Sequence, residues 1–307
     1  SDFTDAIAKL PDTWPGNQQG RPTKGTAKGL LAKAYLAMAT APLSKTENYA
    51  KAAELAKDVM DDGVYSLEPN VGDVFKEENK YGPEILWSFN STKDDGSVCP
   101  QIWGPGVEPY FGWSDYTVDL HYDSIYPVQP RRDAYMLREV NGVPYTEFEY
   151  NKRPSIRKML YMDIDEYNTW VSEANLPILR YADILLIFAE AENMSKSGPT
   201  QAAVDAVNAV IDRANGHVLN EEDPLLTMSM SKTEFDNAVI DQRNWELCFE
   251  YDRWFDICRK RILDKVTYWP QYKVNFSEDD YLFPIPEPDL RLNSLLEQNP
   301  GYPTPER

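Results

Sequence analysis

The chain has 307 residues and a formal net charge of −19. That length supports a sizeable core in one large domain or two, and that charge sets nucleic acid and anionic lipid aside as partners. Cys99, Cys248 and Cys258 form no CxxC and no disulfide framework, and His121 and His217 lack metal-ligand spacing. No apolar run approaches the roughly eighteen residues of a membrane span. Aromatic residues make up 12% of the chain, including eight Trp and nineteen Tyr, more than a core normally hides.

Residues 3–10, FTDAIAKL, read as the end of a helix stopped by Pro11. In GRPTKGTAKGLLAKAYLAMAT, Ala27, Leu30, Leu31, Ala34, Tyr35 and Met38 make a helical stripe, with Thr23 or Thr26 as N-cap. Tyr49 to Met60 predicts a second, Ala-rich helix, ended by Asp61-Asp62-Gly63 with Gly63 as C-cap. Small residues on facing sides allow close approach, so 22–63 reads as an antiparallel hairpin resembling a tetratricopeptide (TPR) unit. It is longer than the usual repeat. Glu84 to Asn90 alternates like a short strand, with Trp87 as core.

Residues 91–150 change texture, being rich in Gly, Pro and aromatics and poor in helical periodicity. Loops of this length are functional or disordered, and disordered segments lack aromatics. This one holds Trp103, Tyr110, Phe111, Trp113, Tyr116, Tyr122 and Tyr126. The inference is an ordered, loop-built aromatic surface, followed by a short hairpin within 143–160.

Leu176 to Lys196 predicts a strong helix whose Ile184, Leu185, Phe188 and Ala191 face a core. Gly198-Pro199 turns the chain into Gln201 to Ala214, closing a second hairpin over 176–216. Phe235 to Arg259 contains no Gly or Pro and suffices for about six helical turns. Ile240, Leu247, Tyr251, Trp254 and Cys258 form its apolar stripe. Arg243, Glu246, Glu250, Arg253 and Asp256 form a charged row beside it. A solvated face is the plain reading of such a row. Bulky apolar neighbours (Trp245, Leu247, Phe249, Trp254, Phe255) favour a partly buried ion-pair ladder, with Arg180, Asp183 and Glu190 placed to join it. The tail 281–302 has too many prolines for a long helix.

The run QRNWELCFEYDRWFDICR resembles the signature helix of the SusD/RagB family through Arg243, Glu246, Leu247, Phe249, Glu250, Arg253, Phe255, Asp256 and Arg259. Gln242 departs from the usual Glu, removing one carboxylate from the row. GRPTKGTAKGLLAKAYL, LRYADILLIFAEA and FPIPEPDLRLNSLLEQNPGY resemble three further family blocks, in family order. Asp289 replaces a usual Glu, and Pro130-Arg131-Arg132 resembles a fourth element with Gln129 in place of Asp.

The resemblance implies a mainly α fold: TPR-like helical hairpins forming a SusD-like scaffold, with a loop-rich aromatic subregion and short β segments. It implies that 1–307 is the C-terminal part of one SusD-like domain. Within it lie the hairpins at 22–63 and 176–216, the aromatic loops at 91–150, the signature helix at 233–261 and a packing segment at 281–302. The missing N-terminal part would carry a lipoprotein signal. The implied protein is lipid-anchored on the outer membrane of Bacteroidetes-type bacteria. It binds a glycan, or in some members a peptide, and caps a SusC-like TonB-dependent transporter, without cofactor or catalysis.

From the residues themselves, no GxSxG and no histidine base suggest an enzyme. Asp115 and Asp119, near Trp113, are the pair to suspect for an all-helical glycoside hydrolase. Asp61-Asp62-Gly63 and Asp94-Asp95-Gly96 read as ordinary turns, since neither fits a calcium loop. Sugar rings offer an apolar C–H face that stacks on Trp and Tyr. Trp103 and Trp113, set among Gly and polar residues, are the expected exposed platforms. Tyr110, Phe111 and Tyr116 come next, with Asp115 and Gln101 as polar partners. Arg131 and Arg132 either reach sugar hydroxyls or pair with the many acids.

Overall fold

The computed structural model describes residues 2–94, 99–266 and 276–304. They fall into two bodies, within Ser1–Arg253 and Trp254–Arg307. In chain order the first body contains helices α1 (Asp2–Lys9), α2 (Lys24–Ala39) and α3 (Asn48–Asp61), then strand β1 (Ile85–Phe89). A loop-rich stretch follows with α4 (Leu120–Ile125), α5 (Pro130–Tyr135), β2 (Met136–Leu137), β3 (Glu139–Val140), β4 (Val143–Pro144), β5 (Ser155–Ile156) and α6 (Ile164–Tyr167). Strand β6 (Leu176–Arg180) leads into α7 (Tyr181–Ser195), α8 (Gln201–Ala214) and α9 (Lys232–Glu246). The pairs β1–β6, β2–β5 and β3–β4 are antiparallel.

Helix α2 starts at a capping box: Thr23 Oγ1 accepts from the Thr26 N–H and Thr26 Oγ1 from the Thr23 N–H, both at 3.1 Å. Gly63, just beyond α3, is left-handed at φ 67°, as a helix-ending glycine should be. Small residues decide how closely the helices pack. A Cβ at Gly29 would stand 2.7 Å from Leu179 Cδ2 and 2.8 Å from Ile184 Cδ1, so α2 approaches β6 and α7 only because it lacks one. The helical core joins Ala32, Leu36, Ala52 and Ala56 to Ile184, Phe188, Val207, Ile211, Phe235 and Val239. A second core lies under the loops and is largely aromatic, with Phe75, Trp103, Tyr126, Tyr135, Phe148 and Tyr167.

The continuous helix expected over Phe235 to Arg259 is broken. Helix α9 ends at Glu246 and α10 (Arg253–Lys260) begins seven residues later. Between them Phe249 and Tyr251 are left-handed, at φ 66° and 69°, and Tyr251 turns outward instead of joining the apolar stripe. In an unbroken helix the Glu246 carbonyl would accept the Glu250 N–H. Here it accepts from Lys158 Nζ at 2.8 Å and Arg180 Nη2 at 2.6 Å, and the Glu250 N–H turns to the Leu247 carbonyl at 3.2 Å.

Most of the charged row is buried and paired, with Arg253 half-buried and its Nη1 unsatisfied among the described residues. Arg180 uses all five of its N–H groups: Nε and Nη2 on the Glu250 carboxylate (2.7 and 2.9 Å), Nη1 on Glu84 and Glu246 (both 2.7 Å), Nη2 also on the Glu246 carbonyl. Glu246 also accepts from Arg131 (3.0 Å), Arg213 (2.7 Å) and the Tyr135 hydroxyl (2.8 Å). Arg243 meets Asp183 at 2.6 Å, and Asp183 also takes Lys33 at 2.9 Å. Burial pushes the Glu246 carboxyl up, but Arg213, Arg180 and Arg131 outweigh it and hold it well below the usual carboxylate range. Gln242, the departure from the family pattern, accepts from Arg131 (3.0 Å) and donates to Asp223 (2.5 Å). A glutamate there would have no proton for Asp223.

In the second body Ile257, Leu263 and Tyr281 form a small core. Gln298 clamps the FPIP segment through the Ile285 N–H (2.8 Å) and carbonyl (3.1 Å), while Asn299 Nδ2 donates to the Phe283 carbonyl at 2.7 Å.

Candidate ligand-binding surface

The stretch 100–116 folds back on itself. Trp113 N–H donates to the Gln101 carbonyl (2.8 Å), Ser114 N–H to Gly104 (3.1 Å) and Tyr116 N–H to Ile102 (3.0 Å). Glycine permits this double layer. A Cβ on Gly112 would run into the Gly104 carbonyl, and one on Gly104 into the Tyr167 hydroxyl. Tyr167, in α6, is the floor: Tyr110 packs edge-on against it at 5.2 Å, and Gln101 Nε2 donates to its carbonyl.

The expected site residues therefore divide. Trp103 is only 7% exposed and belongs to the aromatic core, which corrects its expected role as a surface platform. Gln101 is buried, its amide committed to Tyr167, so it anchors the loop rather than facing a ligand. Both corrections have one cause: Gly and polar neighbours signal a turn, and the fold, not the turn, decides which of its side chains point inward. Tyr110 is half-buried. Phe111 (67% exposed), Trp113 (43%), Tyr116 and Asp115 lie on the surface.

Trp113 has a partner that the sequence did not reveal. Trp170 is 56% exposed and meets it at 5.0 Å between ring centroids, with an interplanar angle of 72°. Trp170 sits at φ 69°, a conformation rarely adopted by a bulky side chain. Its loop is tied down on both sides. Thr169 Oγ1 donates to the Glu166 carbonyl at 2.7 Å, Ser91 Oγ to the Ser172 carbonyl at 2.7 Å, and Ser91 N–H to Asn175 Oδ1 at 3.0 Å. The available signal was a lone Trp in the polar run DEYNTWVSEAN. A further exposed ring, Tyr150, lies against the backbone of Gly106.

The other candidates have structural work. Tyr122 and Tyr126 are anchors: their hydroxyls donate to the Asn244 (2.7 Å) and Trp245 (2.8 Å) carbonyls of α9. Arg131 is fully buried in the ion network, and Arg132 lies 3.9 Å from Asp133. Trp87, expected in the core, is only half-buried and lines a surface cleft of about 190 Å³ with Trp14 and Tyr81. Asp119 caps α4 by accepting the N–H groups of His121 (2.9 Å) and Tyr122 (3.0 Å), with Arg153 3.5 Å from its other oxygen. A capping carboxylate held this way is poorly placed as half of an acid–base pair. Asp61 and Asp62 pair with Lys57 and Lys28, and Asp95 and Gly96 lie outside the described residues. Among the described residues no group of three or more His, Cys, Asp or Glu side chains could hold a metal ion, and no helix is long and apolar enough to cross a membrane.

The fold is a helical scaffold that carries an exposed indole pair on its loops. Residues 133–302 match the model of the SusD family, and the chain belongs to that family. It is 31% identical to SusD-like protein P2 of Formosa agariphila over 95% of this chain, and spans 62% of that relative's length. A SusD superfamily protein from Parabacteroides distasonis superposes with a TM-score of 0.79 at 26% identity, covering 98% of this chain and 67% of the other. Surface glycan-binding protein A from Bacteroides thetaiotaomicron, solved in complex with laminarihexaose, superposes with a TM-score of 0.75 at 20% identity, covering 97% and 68%. The architecture is thus the mainly α, TPR-like SusD scaffold.

Proposed function

We propose that the protein captures an oligo- or polysaccharide on the Trp113–Trp170 pair. The observation that carries this reading is two solvent-facing indoles, brought together from separate loops, one of them held in a strained backbone conformation. Burying such rings against a C–H sugar face gains apolar contact, while hydroxyls at the rim stay wet. Phe111 and Tyr116 extend the surface and Asp115 supplies an acceptor for hydroxyl groups. Trp103, Gln101 and Tyr110 serve the same site from below by fixing the loop. The laminarihexaose held by a protein of this fold supports glycan as the ligand class. In this reading capture involves no bond cleavage. The protein hands its glycan to a SusC-like TonB-dependent transporter and works at the cell surface on a lipid anchor.

The test is affinity electrophoresis of the full chain across a polysaccharide panel, with Trp113→Ala and Trp170→Ala beside it. Retardation by one polymer, lost in both variants at unchanged thermal midpoint, is the expected result. Retardation that survives both substitutions would place the ligand elsewhere. No retardation by any polymer would turn the search to peptides, and release of reducing sugar from the panel would restore the hydrolase.

A further inference from the structure

The cleft beside Trp87 is walled by four aromatic rings, Trp14, Tyr65, Tyr81 and Trp87. Each ring is fixed by a specific contact. The Trp14 indole N–H donates to the Pro22 carbonyl at 2.8 Å. The Tyr65 hydroxyl lies 2.5 Å from Thr23 Oγ1, at the capping box of α2. Tyr81 packs on Gly20, which is left-handed at φ 85° and where a Cβ would stand 2.7 Å from the tyrosine ring. Trp87 is held in β1 opposite Leu179. At about 190 Å³ the cleft is smaller than the about 300–1,000 Å³ of pockets for drug-sized molecules, which limits its ligand to one or two small rings.

Arg21 gives the cleft its charge. Its guanidinium lies over the Trp14 indole, with Cζ 4.9 Å from the ring centroid, and Nη1 donates to Gln18 Oε1 at 2.7 Å. These contacts position the group without neutralising it. Among the described residues no carboxylate pairs with Arg21, in a chain with 50 Asp and Glu against 31 Lys and Arg. The cleft's own acid, Asp12, is paired with Lys24 at 2.9 Å. A held guanidinium without a counter-charge offers paired N–H donors that match a carboxylate. The rings around it suit the C–H face of a sugar. We propose that this cleft is a second binding site, for a sugar unit that bears a carboxylate, a hexuronate at an end or on a branch of a glycan. The net charge of −19 repels a long polyanion, so recognition is confined to the one short acidic unit that reaches Arg21.

Asn90 ties the cleft to the Trp170 loop. Its Nδ2 donates to the Gly20 carbonyl at 3.2 Å, and its Oδ1 accepts from Asn175 Nδ2 at 3.0 Å. The cleft wall and the base of that loop are therefore one hydrogen-bonded frame. The proposal goes beyond the indole-pair reading and does not rest on it, because the rings and the guanidinium of the cleft come from other segments of the chain.

Titration calorimetry of the full chain tests the cleft. The probes are glucuronic and galacturonic acid and their disaccharides, beside glucose, galactose and the matching neutral disaccharides. At least one acidic probe should bind about tenfold or more tightly than its neutral counterpart, and this preference should shrink as ionic strength rises from about 0.01 M to about 0.15 M. Arg21→Gln should bring the acidic probe down to the neutral level and leave the neutral one unchanged. Arg21→Lys keeps the charge but not the paired donors, should lose most of the preference, and serves if the first variant lowers the thermal midpoint. Trp87→Ala should weaken acidic and neutral probes alike, by about tenfold. Trp113→Ala should leave binding of the acidic probe intact. No binding of any probe, equal affinity for acidic and neutral probes, or acidic binding indifferent to Arg21 would overturn the proposal. Failure of polymers to retard the protein would defeat the indole-pair reading, and the calorimetry would still decide the cleft.

Discussion

The helical core and the loop surface solve opposite problems with the same residue types. Around α9 the charges are inside: Arg131, Arg180, Arg213, Glu84 and Glu246 are all buried and satisfied mainly by one another. On the loops the apolar rings are outside: Phe111, Trp113, Tyr150 and Trp170 are exposed above a floor of buried Trp103 and Tyr167. The contrast separates what holds the molecule together from what it presents. A buried ion network adds little net stability over a well-packed apolar core, but it tolerates no missing partner. It therefore fixes geometry, here even forcing a break in a helix. An exposed indole contributes little to folding and is free to serve a ligand.

That comparison can be broken where it is strongest. Glu246→Ala leaves Arg131, Arg180 and Arg213 without a shared carboxylate and should cost about 3–5 kcal/mol, read from the urea midpoint. A loss below about 1 kcal/mol would mean that the network is ornamental. Acid attacks the same place. Glu246, Glu250 and Asp183 are all held below their ordinary values, by arginines and lysines that outweigh burial. Their contribution is complete above the unfolded carboxylate range and disappears as pH falls, so the thermal midpoint should drop steadily below about pH 4.5.

Gly112→Ala tests the join between the two regions. Its methyl would collide with the Gly104 carbonyl, costing about 1–3 kcal/mol by overpacking and shifting Trp113. Glycan retardation should fall well before the helical core melts. Gln242→Glu should destabilise by about 1 kcal/mol, because Asp223 loses a donor and gains a like charge. Unlike the wild type, this variant should gain stability on mild acidification, as the new carboxyl takes a proton and the donor returns. Smallest in stability is Trp113→Ala, within about 0.5 kcal/mol of wild type by calorimetry. The same substitution should weaken retardation at least about tenfold, the loss of one good stacking contact.

Much of the charged row was legible. Arg243, Glu246 and Glu250 stood at helical spacing among bulky apolar residues, and Arg180 and Asp183 were their visible counterparts. Arg131, Lys158 and Arg213 were not, because they reach α9 from 115, 88 and 33 residues away. Nothing local marks such a partner. The break at Leu247–Asp252 was hidden for the same reason: no Gly or Pro signals it, and the groups that take the Glu246 carbonyl come from Lys158 and Arg180.

At the candidate site, composition announced an aromatic loop surface but not its orientation. Trp103 and Trp113 have similar neighbours, yet one is core and the other faces water. Trp170 gave no periodic signal at all. By itself the sequence determined most of the helices, the caps of the first hairpin, the buried character of much of the charged row and the family, because each is written in short-range spacing; Leu176–Arg180, expected as the start of a helix, is instead strand β6, because it pairs with the distant β1. The tertiary structure alone decided the helix break, the full membership of the ion network and the pairing of Trp113 with Trp170. These depend on which distant segments meet, and a chain records such meetings only in the sum of many weak contacts.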